Sequence, residues 1–452
     1  MAHRGPDGAG HFAGTHAALG MQRLSIIDLE GGWQPLYNED ESLALVANGE
    51  IYNFVELRQT LEAGGHRFRT QSDCETIVHL YEEHGEDCVQ HLRGMFAFAL
   101  WDEAKSRLLL ARDRVGEKPL VLFEQDGRLV FASELKVLLA SGLVPKDLDP
   151  RALDRYLHYQ YVPEPATPLA HVRKLPPGCL VSVTRDPWTV TQKRYWALTE
   201  AAPVDGDPVE CIRAELDRIG KLILRSDVPV GLALSGGLDS SAVACFAARH
   251  MDSPLQALTV GYPGRPAFDE RNDAQARAGH LGLPFQEIEL PLDRFVRDFP
   301  GLVEAMDEPV ADIAAYAHMA VMRFARERNL KVMLCGLGGD ELFWGYPWLS
   351  RAIALTEEKD RLAKAPRWWS QSRVLGSLLQ HPRCFRYAHH RRLPAPIRSA
   401  FRYLWEKGLV MGTHPLEAVA ENLKPAFHHA RLLVSRLYTP EFASRIAPRN
   451  AY

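Results

Sequence analysis

Short apolar runs separated by turn signals dominate the first 195 or so residues. Met95 to Trp101 and Leu108 to Arg112 read as strands joined by a charged turn, and Leu120 to Phe123 and Leu129 to Ala132 flank Gln-Asp-Gly-Arg. In that turn Asp126-Gly127 supplies the positive φ angles that a two-residue hairpin requires. Two helices interrupt the strands. One covers about Phe54 to Ala63 and stops at Gly64-Gly65; the other covers Glu75 to His84 and stops at Gly85 as a left-handed cap. The pattern predicts a sheet-rich α+β domain. Ala-Ala-Pro-Val-Asp-Gly-Asp-Pro, within residues 196 to 208, breaks it, and the rhythm beyond becomes strand-then-helix. Val228 to Leu234, Leu255 to Val260, Phe285 to Leu290 and Val332 to Cys335 are the expected strands. Asp239 to His250, Asp269 to Leu281 and Ile313 to Arg328 are the expected helices. Such alternation predicts a doubly wound α/β parallel sheet. The expected domains are residues 1–197 and 208–452.

The chemistry concentrates at the first strand-to-helix turn of the second domain, Leu234-Ser235-Gly236-Gly237-Leu238-Asp239-Ser240-Ser241. Glycines at Gly236 and Gly237 let backbone N–H groups face an anion, and the helix amino end adds positive partial charge. Ser235, Ser240 and Ser241 add hydroxyl donors. Asp239 would repel phosphate without a metal, which implies Mg2+. There is no Gly-Lys-Ser/Thr, so a Walker-type loop is excluded.

Ser-Gly-Gly-x-Asp-Ser resembles the pyrophosphate loop of the ATP pyrophosphatase superfamily, which cleaves ATP between the α and β phosphates. Cys335-Gly336-Leu337-Gly338-Gly339-Asp340-Glu341-Leu342-Phe343 resembles the second nucleotide motif of glutamine-dependent asparagine synthetases. Arg4-Gly5-Pro6-Asp7-Gly8, Arg23 to Asp28, Asn48 to Asn53, Ser72 to Glu75, Ala111 to Arg114 and Phe131 to Glu134 look like the glutaminase domain of the same family. The likeness runs from residue 2 to about 350.

The resemblance implies an Ntn-type α-β-β-α sandwich, lacking its first strand, ahead of an ATP pyrophosphatase domain incomplete at its carboxyl end. It implies that ATP adenylates the β-carboxylate of aspartate and that glutamine-derived ammonia then gives asparagine. ATP would contact Leu234, Ser235, Gly236, Gly237, Asp239, Ser240, Ser241, Val260, Cys335 and Gly336, with Asp239 and Asp340 catalytic and on the metal. Glutamine would contact Arg23, Leu24, Ser25, Ile26, Ile27, Asn48, Gly49, Glu50 and Asp73. Of these, Arg23 would fork onto the α-carboxylate, Asp73 would pair with the α-ammonium, and Asn48 with the Gly49 N–H would form an oxyanion hole.

Three features depart from the family pattern. The amino-terminal cysteine is absent, so the chain as written is expected not to hydrolyse glutamine. Leu337 stands where family members carry an acidic residue, which leaves the acceptor open. No Lys-x-Asp-Arg-x-Ser segment precedes Tyr452. A fragment of a longer gene is the simplest account. The alternatives are a related amide ligase without glutaminase activity, β-lactam-synthetase-like or acting on a natural product or surface polysaccharide, and a degenerate binding subunit.

Composition restricts the rest. The chain has 452 residues, 46% hydrophobic and 24% charged, with a formal charge of -4, which gives no reason to expect nucleic-acid binding or a membrane-surface habit. Seven scattered cysteines without metal spacing read as reduced thiols. No apolar run spans a bilayer, so a cytoplasmic ligase with small-molecule substrates is expected, and a homodimer is compatible with it. Residues 366–405 hold eight arginines and no acidic residue, read as a solvated or packing surface. Trp368, Trp369 and Trp405 read as core, and Asp307-Glu308-Pro309 as either a helix start or part of an acceptor site.

Overall fold

The computed structural model describes residues 1–200, 204–251, 255–312, 314–343, 345, 346 and 353. The arginine-rich stretch and the three tryptophans lie outside the described residues. The chain forms two compact units, one of residues 1–204 with 210–336, the other of residues 205–209 with 337–452.

The larger unit begins with a hairpin of β1 (Gly8–Ala13) and β2 (Ala18–Arg23). Then come β3 (Leu36–Tyr37), β4 (Leu43–Ile51), α1 (Phe54–Ala63), α2 (Glu75–His84), β5 (Gly94–Asp102) and β6 (Arg107–Arg112). After these follow β7 (Val121–Gln125), β8 (Arg128–Ala132), α3 (Leu135–Ala140), α4 (Pro150–Tyr159), β9 (Val172–Lys174), β10 (Cys179–Thr184) and β11 (Thr189–Arg194). One antiparallel sheet has the order β11-β10-β6-β5-β4-β3, and a smaller one the order β8-β7-β9. The large sheet is buried on both faces. Phe96, Phe98 and Leu109 pack beneath Ile77, Val78 and Tyr81 of α2. Ala97, Ala99 and Leu110, one residue out of phase, meet Leu122 of β7. On the far side of β7, Val121 and Phe123 pack with Leu135 and Leu138 of α3. Strands covered on both faces lose the alternation of a half-solvated sheet and read as continuous apolar runs.

Both expected helices of this region form, and Asp126 and Gly127 take φ of 51° and 67° in the β7–β8 turn. Gly85 has φ 57° but ψ -134°, so the end of α2 needs glycine without being the expected left-handed cap.

From Glu210, the third residue of α5 (Pro208–Leu222), the same unit continues through β12 (Val230–Ala233), α6 (Leu238–Ala248), β13 (Gln256–Gly261), α7 (Arg271–His280) and β14 (Phe285–Glu289). It closes with α8 (Leu292–Met306), α9 (Ala314–Arg326) and β15 (Val332–Leu334). The sheet is parallel, in the order β14-β13-β12-β15. Leu232 and Ala257 face α6 and α7 through Ala244, Ala247, Ala274 and Ala278. Ala233 and Leu258 face Val321 and Phe324 of α9. Helices thus cover both faces, and the strand order reverses between β12 and β15. That switch point is where open α/β sheets leave a crevice for ligands at the carboxyl ends of their strands.

The sequence pattern did not reveal α8, because Pro300 sits inside it. Its apolar face outweighs that cost: Phe295 stacks edge-on against Phe299 and Tyr316 at 5.6 and 4.9 Å between ring centres, and Leu302 is buried beside Ala320. In the smaller unit the described residues form α10 (Gly339–Phe343). No helix among the described residues is long and apolar enough to cross a membrane.

The two halves of the larger unit meet through polar contacts. Asp7 accepts from Ser25 N–H at 2.8 Å and pairs with Lys331 Nζ at 2.7 Å. Arg225 forks onto Glu56 and donates to the Tyr52 carbonyl. Asp307, in the left-handed region at φ 63°, accepts from the Leu135 and Lys136 N–H groups at the start of α3, while Glu308 pairs with Lys174 at 2.7 Å. Asp307-Glu308 is therefore a joint to the first half, and it ends α8 rather than starting α9.

Candidate active site

A cavity of about 890 Å³ opens in the first half. Arg23, Leu24, Ile26, Ile27, Asn48, Gly49, Glu50 and Asp73 line it together with Ser72, Cys74 and Lys118. Every glutamine-site residue expected from the sequence is there except Ser25. Ser25 is buried and turned to the joint, its N–H on Asp7 and its carbonyl accepting from Lys331 Nζ at 3.4 Å.

Arg23 ends β2 and is 6% exposed. Its Nη2 donates to the Ile27 and Asp28 carbonyls at 3.0 and 2.6 Å, which fixes the guanidinium against the following loop. Nη1 has no partner among the described residues. Asn48 Nδ2 and Glu50 Oε1, from β4, are likewise buried and unpartnered. Buried polar atoms in folded proteins are nearly always paired, so three orphans around one cavity point to a polar ligand. Gly49 is required by the strand itself. A Cβ there would lie 2.0 Å from the Met95 carbonyl oxygen of β5.

Asp73 precedes α2 and accepts from Ile51 N–H at 2.7 Å; burial pushes its pKa up. Burial also raises the Cys74 thiol well above its ordinary value, assisted by the Asp73 carboxylate, and Cys74 is a buried side chain of the core. The Lys118 ammonium is pulled down by burial, against the opposing pull of Glu50 and Glu117. Lys118 was not evident from the sequence. Its position follows from Asp113, which accepts the N–H groups of Val115, Gly116, Glu117 and Lys118 and so coils residues 113–118 toward the cavity.

Burial, with the Asp73 charge second, raises the Glu50 carboxyl from 4.5 to about 7. The folded chain thus holds a proton that the unfolded chain releases at about 4.5. The associated stability is present at and below pH 4.5 and is lost as pH rises through about 7, on the order of 3 kcal/mol in all. Glu50→Gln is expected to flatten this slope, with a larger stability gain at pH 8 than at pH 5 in denaturant titrations. An equal effect at both values would contradict the assignment.

The second site lies at the β12–β15 switch point. Gly237 caps α6, and Leu238 and Asp239 open its first turn. Ser235 N–H donates to Ser240 Oγ at 3.1 Å, and the Ser235 and Ser240 hydroxyls lie 2.9 Å apart. Ser241 Oγ donates to the Gly237 carbonyl at 2.6 Å. From the end of β15, Gly336 packs on the same turn, where a Cβ would come within 2.5 Å of Ser240 N. Leu234 is buried at the root of the loop. Val260 packs in the cluster on the α8–α9 face of β13. Cys335 is half-buried beside Gly336.

The sequence predicted loop amides directed at an anion. In the structure Gly236 N–H already holds an anion from within the chain, the Glu270 carboxylate at 3.0 Å, and Gly237 N–H donates to Ser235 Oγ at 3.1 Å. In the smaller unit, Glu341 accepts from Gly338 N–H at 2.9 Å and from the Tyr346 hydroxyl at 2.6 Å. Burial raises the neighbouring Asp340 carboxyl, with Glu341 adding to it. Leu337 is 69% exposed.

Comparison with known proteins matches residues 1–196 to the glutamine amidotransferase domain family and residues 212–435 to the asparagine synthase family. The glutamine-hydrolysing asparagine synthetase 1 of Bacillus subtilis is 38% identical over 349 residues, covering 76% of this chain and 54% of that protein. Asparagine synthetase 3 of the same organism is 33% identical over 377 residues, 78% of this chain and 60% of that one. Asparagine synthetase 3 of Arabidopsis thaliana is 34% identical over 364 residues, 78% and 57% respectively. The chain thus spans little more than half the length of these curated relatives.

Proposed function

The chain belongs to the glutamine-dependent asparagine synthetase family, and from that premise we propose that it pairs a glutamine-binding cavity with ATP-driven activation of a carboxylate. The observation that carries this is the trio of orphaned atoms, Arg23 Nη1, Asn48 Nδ2 and Glu50 Oε1, in one cavity. They complement the three polar ends of glutamine. Arg23 Nη1 donates to the α-carboxylate. Asn48 Nδ2 donates to the carboxamide oxygen. Glu50 and Asp73 accept from the α-ammonium. The first half is then a glutaminase domain of the Ntn type, its α-β-β-α layers made by α1 and α2, the two sheets and α3. It extends over residues 1–197, and the synthetase domain over residues 208–452.

At the switch point, the turn from Ser235 to Ser241, with Gly336 packed against its Asp239–Ser240 backbone, forms a cradle for the phosphates of ATP. The Glu270 carboxylate on Gly236 N–H marks where a phosphate oxygen would bind, and it has to be displaced when one does. Asp239 is a hard oxygen donor of the kind Mg2+ prefers, and an ion held there would neutralise pyrophosphate as it leaves. Leu234 and Val260 flank the adenine. The acceptor is the β-carboxylate of aspartate, activated as an acyl-adenylate and attacked by ammonia.

The test has two arms. Calorimetry should give L-glutamine at least tenfold higher affinity than L-glutamate, and no glutamine binding would refute the first half of the proposal. Pyrophosphate release from ATP and Mg2+ should depend on L-aspartate; release with another carboxylate alone would reassign the acceptor. Gly336→Ala drives a Cβ onto the Asp239–Ser240 backbone and displaces the loop, so release should fall by about tenfold or more. Unchanged release would exclude this cradle.

A further inference from the structure

We propose that Glu39, His66, His79 and Glu82 form a binding site for a divalent transition metal, zinc in its geometry, on the outer side of the glutaminase half. The four side chains come from separate places. Glu39 follows β3, His66 follows the glycine stop after α1, and His79 and Glu82 stand one turn apart on α2. Each offers one ligand atom, and all four atoms lie within 4.8 Å of one another. His79 Nδ1 is 2.9 Å from Glu82 Oε2 and 3.6 Å from Glu39 Oε2. His66 Nδ1 is 3.4 Å from Glu39 Oε1 and 3.5 Å from Glu82 Oε2. Tetrahedral zinc with nitrogen and oxygen ligands at about 2.0–2.1 Å sets its ligand atoms roughly 3.3 Å apart; both imidazoles lie near that separation from Glu82 Oε2, at 2.9 and 3.5 Å, while they approach different oxygens of Glu39.

The surroundings have the form of a ligand shell. A metal-bound imidazole commonly turns its other nitrogen to a carboxylate, which fixes the ring and strengthens it as a ligand. His66 does so, its Nε2 3.0 Å from Glu83 Oε1; His79 Nε2 lies 3.7 Å from Glu75 Oε1, too far for a hydrogen bond, and has no hydrogen-bond partner among the described residues. Glu75 is buried and anchored by the Arg69 and Thr70 N–H groups. The ligand carboxylates are steadied as well: Asn38 Nδ2 donates to Glu82 Oε1 at 2.9 Å, and Arg67 N–H to Glu39 Oε1 at 2.9 Å.

Charge points the same way. With neutral imidazoles the four ligands carry two negative charges, which a divalent cation cancels. Two imidazoles and two carboxylates suit zinc, nickel or copper, whereas calcium and magnesium prefer oxygen alone. His79 is fully buried, while Glu39 and Glu82 keep about a third and a quarter of their side-chain surface, so an ion can enter from solvent. The chain between His66 and His79 carries Ser72, Asp73 and Cys74 of the cavity wall. The metal is therefore a brace behind that wall, and nothing in it depends on what the cavity binds.

The experiment is metal analysis of the full chain after dialysis against zinc chloride, with calorimetric titration and thermal melts in zinc and in EDTA. One equivalent of zinc per chain, a melting point raised by zinc and no displacement by calcium are expected. His66→Asn and Glu82→Gln, both at partly exposed positions, should weaken zinc binding by about a hundredfold or more while the metal-free melting point stays within a few degrees. Absence of zinc binding, or binding that both variants retain, would overturn the proposal.

Discussion

Arg23→Lys is expected to weaken glutamine binding by more than a hundredfold. The guanidinium does two things at once from a buried position. Nη2 holds the Ile27 and Asp28 carbonyls, and Nη1 remains for the ligand carboxylate. A lysine ammonium keeps the charge but is a point donor on a flexible stem, and cannot hold a loop and a carboxylate in fixed directions. Removing one partner of a buried, hydrogen-bonded charge pair costs about 2–5 kcal/mol. At 1.4 kcal/mol per factor of ten, the middle of that range is on the order of three hundredfold. Calorimetric titration with glutamine measures it directly. Affinity within threefold of the parent chain would mean that Arg23 serves the loop alone.

The largest loss of stability is expected at a residue that touches no ligand. Asp113 is fully buried at the end of β6. One carboxylate oxygen accepts from Val115, Gly116 and Glu117 at 3.2, 2.6 and 2.9 Å, and the other from Lys118 and Phe96 at 3.0 and 3.3 Å. Arg112 completes the knot from the other side, donating to the Lys118, Gly116 and Leu175 carbonyls. Asp113→Ala strands several buried N–H groups, each costing about 1–3 kcal/mol unless water enters. With partial relaxation, a net loss of about 4 kcal/mol is expected in urea unfolding, a large fraction of a typical domain's stability. Asp113→Asn should lose less, because it keeps an acceptor while presenting an NH2 to neighbouring donors. A loss below 1 kcal/mol for Asp113→Ala would show that water replaces the carboxylate easily.

What could be read in the sequence follows from where the determining physics is local. The helices α1 and α2 announced themselves by glycine stops, and the parallel strands by apolar runs between helix patterns. The turn at Gly236-Gly237 was visible because a bend, a helix start and hydroxyl donors all fall within a few residues. Arg23, Asn48, Gly49 and Asp73 were accessible only through family likeness. Their approach depends on the pairing of β4 with β5 and on the coil beneath Ile51, which no spacing encodes. Lys118 escaped notice because Asp113 sets its direction. Ser25 was assigned to the cavity with its neighbours, but its N–H and carbonyl serve the Asp7–Lys331 contact instead. Pro300 concealed α8, whose stability comes from Phe295 packing on Tyr316, a partner that the segment alone cannot show. The Glu270 carboxylate on Gly236 likewise depends on α7 lying beside the loop.

The strand order also has a consequence for synthesis. In the large sheet, β6 lies between β5 and β10, and β10 starts at Cys179, well after β6 ends at Arg112. A nascent chain that has emerged only as far as α4 therefore presents the Leu108–Leu110 edge with no strand to close it. An open apolar edge of this kind recruits neighbouring chains. Polysome-bound intermediates of this protein should thus be prone to aggregate until β10 leaves the ribosome, and chaperone occupancy along the transcript should fall once that strand is exposed.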